Sequence, residues 1–287
     1  MGASQTFVTG TDGLIERQTE TKSPRFKVRR ANVLGVGVHA VNLRTAADII
    51  ELAVEDDAKG YVCVTGVHGV MEAQRNRQFK DILDRAMLVV PDGVPTVWIG
   101  RLEGHSDMGR VFGPDLMMEV CRSSVISGHT HFLYGGKLGI AEELKQNLEN
   151  LYPGIRIVGT YTPPFRPLSE MERAELQQKL DRLSPDIMWI GLSTPKQEQF
   201  MSGNLNLLTC KVMIGVGAAF DIHTGRVKDA PRWIKTAGFQ WLHRLYQEPS
   251  RLWKRYLVNN SGFALRVLLQ FTRIKRYQLT SDDIPSD

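Results

Sequence analysis

From residue 32 to residue 216 the chain alternates short apolar runs with longer stretches whose apolar positions recur every three or four residues. The runs 33–38, 61–65, 87–90, 131–134, 155–159, 187–192 and 212–216 have strand length and are apolar without alternation, as expected of strands buried on both faces. Helical patterns fill the gaps. The first follows Thr45, a candidate cap, with Ala46, Ile49, Ile50, Ala53 and Val54 on one face. Others run from the second strand to Leu83 and over 94–102, 114–125, 140–151 and 170–183. Apolar strands separated by helices predict an α/β fold with a mostly parallel sheet and helices on both faces. No internal repeat interrupts this order.

The two ends differ from this middle. Residues 1–30 are rich in Thr, Gly, Ser and Gln without periodicity and read as a disordered tail. Beyond Pro231 the texture becomes helical and aromatic: Trp233, Ile234, Ala237, Trp241, Leu242, Leu245 and Tyr246 share helical spacing. Pro249 interrupts it, Leu252, Trp253, Tyr256 and Leu257 resume it, and a third piece covers 263–274. The chain's net charge of +5 conceals an asymmetry, because residues 222–277 hold twelve Lys or Arg against only Asp229 and Glu248. Three parts result: a tail over 1–30, an α/β domain over 31–232, and a basic amphipathic helical appendage over 233–287.

Several classes are disfavoured. Cys63, Cys121 and Cys210 stand far apart without a Cys-x-x-Cys, so neither a disulfide framework nor a zinc site is indicated and a reducing setting is expected. The polar start lacks the apolar core of a signal peptide, and no run reaches the ~20 apolar residues that span a bilayer. His129 and His131 alternate on an expected strand, which more often marks one exposed edge than a metal site.

The candidate chemistry gathers at strand-to-helix junctions. In Val89-Val90-Pro91-Asp92-Gly93-Val94-Pro95 a buried run stops at a proline, Gly93 is free to take positive φ, and Pro95 suits a first helical turn. The turn lifts the Asp92 carboxylate toward the crevice where open α/β sheets keep ligands; its plainer reading is an Asx-turn capping the next helix. Tyr134-Gly135-Gly136-Lys137 would bring main-chain N–H groups to a phosphate, or would simply be a glycine turn. Ser193-Thr194-Pro195-Lys196-Gln197-Glu198 offers a cap, a first-turn proline and two polar side chains toward the same crevice. Gly217 precedes Asp221, a carboxylate suited to a sugar hydroxyl or to local capping. Arg110 precedes a helix start, and near a phosphate it would bind bidentately. Gly35-Val36-Gly37-Val38-His39-Ala40 superficially matches a dinucleotide fingerprint, but the helix it should open begins only near Thr45. No Asp-x-Asp follows a strand to hold a cation.

Together these motifs resemble the WecG/TagA/CpsF family of bacterial glycosyltransferases, from about Asn32 to about Tyr256. The likeness is carried by Val64-Thr65-Gly66-Val67-His68, Pro91-Asp92-Gly93, Arg110-Val111-Phe112-Gly113-Pro114-Asp115, Gly135-Gly136-Lys137, Pro195-Lys196-Gln197-Glu198, Gly215-Val216-Gly217-Ala218-Ala219-Phe220-Asp221, Ala230-Pro231-Arg232-Trp233 and Gln247-Glu248-Pro249-Ser250-Arg251-Leu252. Their order and spacing are specific where each alone is weak.

The resemblance implies a Rossmann-like core and an inverting transfer of a hexose-type sugar from a nucleotide diphosphate, usually UDP. The acceptor would be a polyprenyl-diphosphate-linked sugar, in synthesis of exopolysaccharide and other cell-envelope polysaccharides. It implies no metal or other cofactor. Asp92 falls on the proposed catalytic base, and Thr65, Arg110, Gln197 and Asp221 on substrate-binding positions. Many members carry Asn after that Thr; Gly66-Val67-His68 stands here, which makes His68 a candidate sugar contact and leaves the sugar open. The Gly135-Gly136 loop and Arg110 are candidates to meet the leaving diphosphate. The appendage, through Arg251, Lys254, Arg255 and Arg266, is expected on an anionic membrane surface. That makes the protein cytoplasmic and peripheral on the inner face of the cytoplasmic membrane. Its aromatic, apolar stripes disfavour nucleic acid as a partner, and homo-oligomerisation is compatible with all of this. Two other classes remain at this stage, an NAD-linked sugar-nucleotide oxidoreductase and a non-catalytic membrane-docking module.

Overall fold

The computed structural model describes residues 28–236 and 238–279, and leaves the side chains of Arg232, Thr236, Arg251 and Arg255 outside that description. Nearly all of the expected tail over 1–30 therefore lies outside the described residues.

The first apolar run is not one strand. It divides into β1 (Arg30–Val33) and β2 (Val36–His39), an antiparallel hairpin. Leu34 and Gly35 both take positive φ, 55° and 78°, as a two-residue turn between twisted strands requires, and Asn32 Oδ1 accepts from the Gly35 N–H at 2.7 Å. Gly35 thus turns a hairpin outside the main sheet, which removes the dinucleotide reading of that motif. Helix α1 (Leu43–Glu55) is capped by Asn42, whose side chain accepts from Thr45 N–H; Thr45 is the recipient of the cap and not its donor.

Strand β3 (Gly60–Thr65) is followed by α2 (Val67–Ala73) and α3 (Arg77–Asp84), two helices where the pattern predicted one stretch. Asn76 separates them by capping Phe79. Then come β4 (Leu88–Pro91), α4 (Val94–Leu102), α5 (Gly113–Ser127), β5 (Thr130–Gly135), α6 (Ile140–Leu151), β6 (Arg156–Tyr161) and α7 (Glu170–Leu183). The core ends with β7 (Ile187–Gly191), α8 (Lys196–Asn204), β8 (Val212–Gly215) and α9 (Ala219–His223).

The six strands β3 to β8 form one sheet in the order β4-β3-β8-β7-β5-β6, and every neighbouring pair is parallel. One face is covered by α1, α5, α6 and α9 through Ile50, Leu116, Leu144 and Phe220. The other is covered by α2, α3, α7, α8 and the hairpin through Met71, Phe79, Leu180, Met201 and Val36. His131 belongs to this interior: it is buried, stacks on Trp189, and accepts from the indole N–H at 3.0 Å. The expected exposed histidine edge is therefore absent at this position, because β5 lies between β6 and β7.

Helices α10 (Arg232–Thr236), α11 (Gln240–Gln247) and α12 (Pro249–Phe271) close the chain. The last is one continuous helix of 23 residues where the pattern suggested two pieces. Pro249 sits in its first turn, where a missing N–H costs nothing. It packs on α2 at Gly262, where a Cβ would stand 3.1 Å from Met71 Cε. Phe263 joins the core there, worth about 1.5–3 kcal/mol of burial. Its far end is tied to the hairpin, with Gln270 donating to Asn32 O at 2.8 Å and accepting from Leu34 N–H at 3.0 Å.

Candidate active site

The carboxyl ends of β3, β4, β7 and β8 lie side by side and open into a cavity of about 630 Å³. At the end of β4 the main chain is held on two sides: Asp92 N–H donates to Thr65 O at 3.1 Å, and Val111 N–H donates to Pro91 O at 2.7 Å. Gly93 caps α4 with φ −109°, an extended conformation and not the positive φ expected of it. The turn is made by helix entry, with Pro95 in the first turn. A Cβ on Gly66 would stand 3.5 Å from Asp92 Oδ2, so the carboxylate lies against the β3–α2 junction.

Asp92 is the only acid among the described residues that line the cavity. Its Oδ1 is buried and finds no hydrogen-bond partner among them. Burial pushes the carboxyl above its ordinary range; Arg110 and Arg244 pull it back, and Asp115 adds a smaller upward push. Arg110 donates from Nε to the Asp92 carbonyl at 2.9 Å and from Nη2 to Gln240 Oε1, and lies 4.5 Å over the Phe112 ring. Arg244 of α11 donates from Nη2 to Glu248 at 3.4 Å, while its buried Nε has no partner among the described residues. Lys235 reaches the same wall, 5.3 Å from the Phe112 ring. One acid, Asp92, and three basic side chains, Arg110, Lys235 and Arg244, thus line one cavity; Lys235 also pairs with Asp229 and Asp115, and Arg244 with Glu248.

Apolar side chains line the cavity as well: Trp98, Ile99 and Leu102 of α4, and Phe263, Ala264 and Val267 of α12. Trp98 and Leu102 are 58% and 71% exposed, large values for such side chains beside a polar pocket.

Residues 31–277 match the family described as "Glycosyl transferase WecG/TagA/CpsF family". The chain belongs to that family. It is similar to an N-acetylglucosaminyldiphosphoundecaprenol N-acetyl-beta-D-mannosaminyltransferase of Bacillus subtilis (strain 168), 30% identical over 79% of this chain and 86% of the relative. A protein of the same name from Bacillus spizizenii (strain ATCC 23059 / NRRL B-14472 / W23) is 28% identical, over 72% of this chain and 79% of the relative. The protein is therefore a glycosyltransferase, which sets aside the oxidoreductase and non-catalytic readings.

In this family member, four of the residues singled out from sequence meet in the cavity: His68, Asp92, Arg110 and Gln197. His68 of α2 has its Nδ1 3.0 Å from the Asn259 amide nitrogen, and Asn259 Oδ1 accepts from Arg75 at 2.5 Å. Gln197 is buried, and its Oε1 accepts from Gly217 N–H at 3.0 Å. Gly217 takes φ +56°, which a glycine allows at this tight turn.

Others stand apart from the lining. Thr65 is buried between the lining residues Val64 and Gly66, and its carbonyl accepts from Asp92 N–H. Gly135 ends β5 and Gly136 follows it; a Cβ on Gly135 would lie 2.7 Å from Gly191 O, so that glycine serves close packing of β5 against β7. The first turn of α6 beyond it carries Glu142 and Glu143, a poor greeting for an anion. Asp221 sits on α9, half-buried, with its carbonyl accepting from Arg226 and Val227 N–H. Lys196 is exposed in the first turn of α8, and no side chain caps that helix, whose N-cap is Pro195.

Of the appendage residues, Lys254 is exposed and lies 5.5 Å over Trp253, while Arg266 donates to Gly262 O at 3.3 Å. The side chains of Arg251 and Arg255 lie outside the described residues. Among the described residues no helix is long and apolar enough to cross a membrane. One trio, Glu51, Glu55 and His129, brings ligand atoms within 4.8 Å of one another. It involves α1 and the segment ahead of β5, outside the cavity lining.

The sequence reading missed the second wall: Gln240 and Arg244 of α11, with Tyr256, Asn260 and Phe263 of α12. The available signal was Gln240 and Arg244 set into the apolar pattern 233–246. Their spacing of four residues puts them on one helix face.

Proposed function

We propose that the protein transfers a hexose-type sugar from a nucleotide diphosphate, UDP, to a polyprenyl-diphosphate-linked sugar, with inversion at the anomeric carbon. The observation that carries this reading is Asp92, the lone carboxylate among the described lining residues, in a cavity that Arg110, Arg244 and Lys235 also line. The printed activities of the Bacillus relatives, which name a diphosphoundecaprenol-linked sugar, support the acceptor class.

In this mechanism Asp92 takes the proton of the acceptor hydroxyl as that oxygen attacks the anomeric carbon from the face opposite the diphosphate. A general base contributes ~10²–10⁴-fold, and a carboxyl raised by burial is a stronger base than an ordinary one. The bond to the diphosphate oxygen breaks as the glycosidic bond forms. Arg110, held between the Asp92 carbonyl and Gln240, and Arg244 beside it receive the developing charge. His68 and Gln197 line the cavity where sugar and nucleotide would bind.

The apolar wall of α4 and α12 fits a lipid-linked acceptor. Leu257, Val258, Leu265 and Leu268 of α12 are exposed, with Lys254 and Arg266 on the same helix. Such a helix lies in the headgroup plane of an anionic membrane, which brings the cavity mouth to an acceptor that stays in the bilayer. This reading makes 233–279 a peripheral docking element on the inner membrane face and 31–232 a Rossmann-like catalytic unit.

The test is transfer by purified protein from a panel of UDP-sugars to a polyprenyl-diphosphate sugar, with the anomeric configuration of the product read by NMR. Asp92→Asn is expected to keep nucleotide binding and lower turnover ~10²-fold or more. Near wild-type turnover by that variant would sink the role of Asp92.

A further inference from the structure

Two adjacent residues at the start of α8, Gln197 and Glu198, are 2% and 1% exposed. Gln197 has an evident partner across the cavity edge, whereas a deeply buried glutamate with only neutral partners calls for a reason. The hydrogen bonds supply it. The Gly217 N–H can only donate, so Gln197 must offer it Oε1, as it does at 3.0 Å. That choice turns Gln197 Nε2 the other way, where it needs an acceptor. Glu198 Oε1 is that acceptor, at 3.1 Å, and it also accepts from Thr194 Oγ1 at 2.8 Å.

One carboxyl oxygen therefore fixes two groups at the rim of the cavity, because Thr194 and Gly217 both line it. The approach is tight: a Cβ on Gly215 would stand 2.9 Å from Gln197 Nε2, so a glycine is needed for Gln197 to lie across the β8 end. Glu198 Oε2 is buried and meets no partner among the described residues. Burial raises the carboxyl, with the Thr194 hydroxyl, a main-chain N–H at Glu198 and the Gln197 amide pulling it back. Without it, the Gln197 amide can turn over and set its NH₂ against the Gly217 N–H, two donors facing each other.

We propose that Glu198 is a positioning residue for donor binding, setting the Gln197 amide and the Thr194 hydroxyl so that 215–218 and the β7–α8 loop receive the nucleoside diphosphate. This rests on the donor reading above. It assigns Glu198 no contact with substrate.

The experiment measures UDP binding to the full-length protein by calorimetry, with donor KM, kcat and melting temperature alongside. Glu198→Met keeps the volume and removes the acceptor, and Glu198→Ala serves as a second acceptor-free variant. In both, the UDP Kd and donor KM are expected to rise ~10-fold, the effect of ~1.4 kcal/mol, with kcat at saturating donor nearly unchanged. Glu198→Gln restores an oxygen at the same place and is expected to hold Kd within about threefold of wild type. Lowered melting temperature with wild-type UDP affinity in the acceptor-free variants would show a purely structural role and overturn the proposal. So would equal loss of affinity in Glu198→Gln. Wild-type protein that binds no UDP would instead overturn the donor reading itself.

Discussion

Arg110 donates its Nε–H to the main-chain carbonyl of Asp92 at 2.9 Å, so the cation and the turn carrying the lone carboxylate are one mechanical unit. The side chain of Arg110 is committed at the other end as well, to Gln240 of α11. The Asp92 turn is thereby tied to the helices that follow the sheet.

A lysine cannot make both contacts, since it lacks the planar fork of the guanidinium. Arg110→Lys is expected to weaken UDP binding ~10-fold and to lower kcat, although it retains the charge. Calorimetry and steady-state kinetics on the variant read this. Unchanged values for both would mean that charge alone matters at this position.

The pH profile follows from Asp92. Its carboxyl is raised by burial, and the base works only when ionised, so activity is present above that raised pKa and lost as pH falls through it. The acid limb of kcat/KM is expected at a pH above the ordinary aspartate value of 3.8, falling about tenfold per pH unit. A limb at or below 3.8 would contradict the burial argument. The residual activity of Asp92→Asn should lack the limb.

Transfer is expected to survive chelation. Asp92 is the only acid among the described lining residues, whereas a divalent cation on a diphosphate is usually held by one or two carboxylates. Activity in EDTA should remain within about twofold of the untreated enzyme if Arg110 and Arg244 neutralise the leaving group. Abolition by EDTA with restoration by magnesium or manganese would reverse this assignment.

Membrane docking is best tested without truncation, because Asn259 and Phe263 of α12 are buried and their loss would disturb the fold. Leu265 and Leu268 are 59% and 60% exposed and do not line the cavity. The double variant Leu265→Glu, Leu268→Glu should keep its melting temperature and UDP affinity while losing sedimentation with anionic vesicles. Wild-type binding should weaken with salt, each basic residue near the surface contributing ~1 kcal/mol. Equal sedimentation of variant and wild type would remove α12 as the docking face.

The sequence by itself determined what depends on neighbours along the chain. Unalternated apolar runs marked β3 to β8, three- and four-residue spacing marked the helices, and the arrest of β4 at Pro91 located Asp92 at a strand end. Those features are set by backbone geometry within a few residues. The order of motifs also carried the family. Tertiary structure decided which strand ends are neighbours, since a strand buried on both faces has much the same pattern wherever it stands in a parallel sheet. The order β4-β3-β8-β7 brings His68, Asp92, Arg110 and Gln197 to one cavity, while Gly135 on β5 and Asp221 on α9 fall outside its lining. Likewise the apolar stripes beyond Pro231 announced a buried face without saying what it meets. The fold laid α11 and α12 against the Asp92 turn and the hairpin, where long-range contacts such as Arg110 to Gln240 and Gln270 to Asn32 are made by residues more than a hundred positions apart.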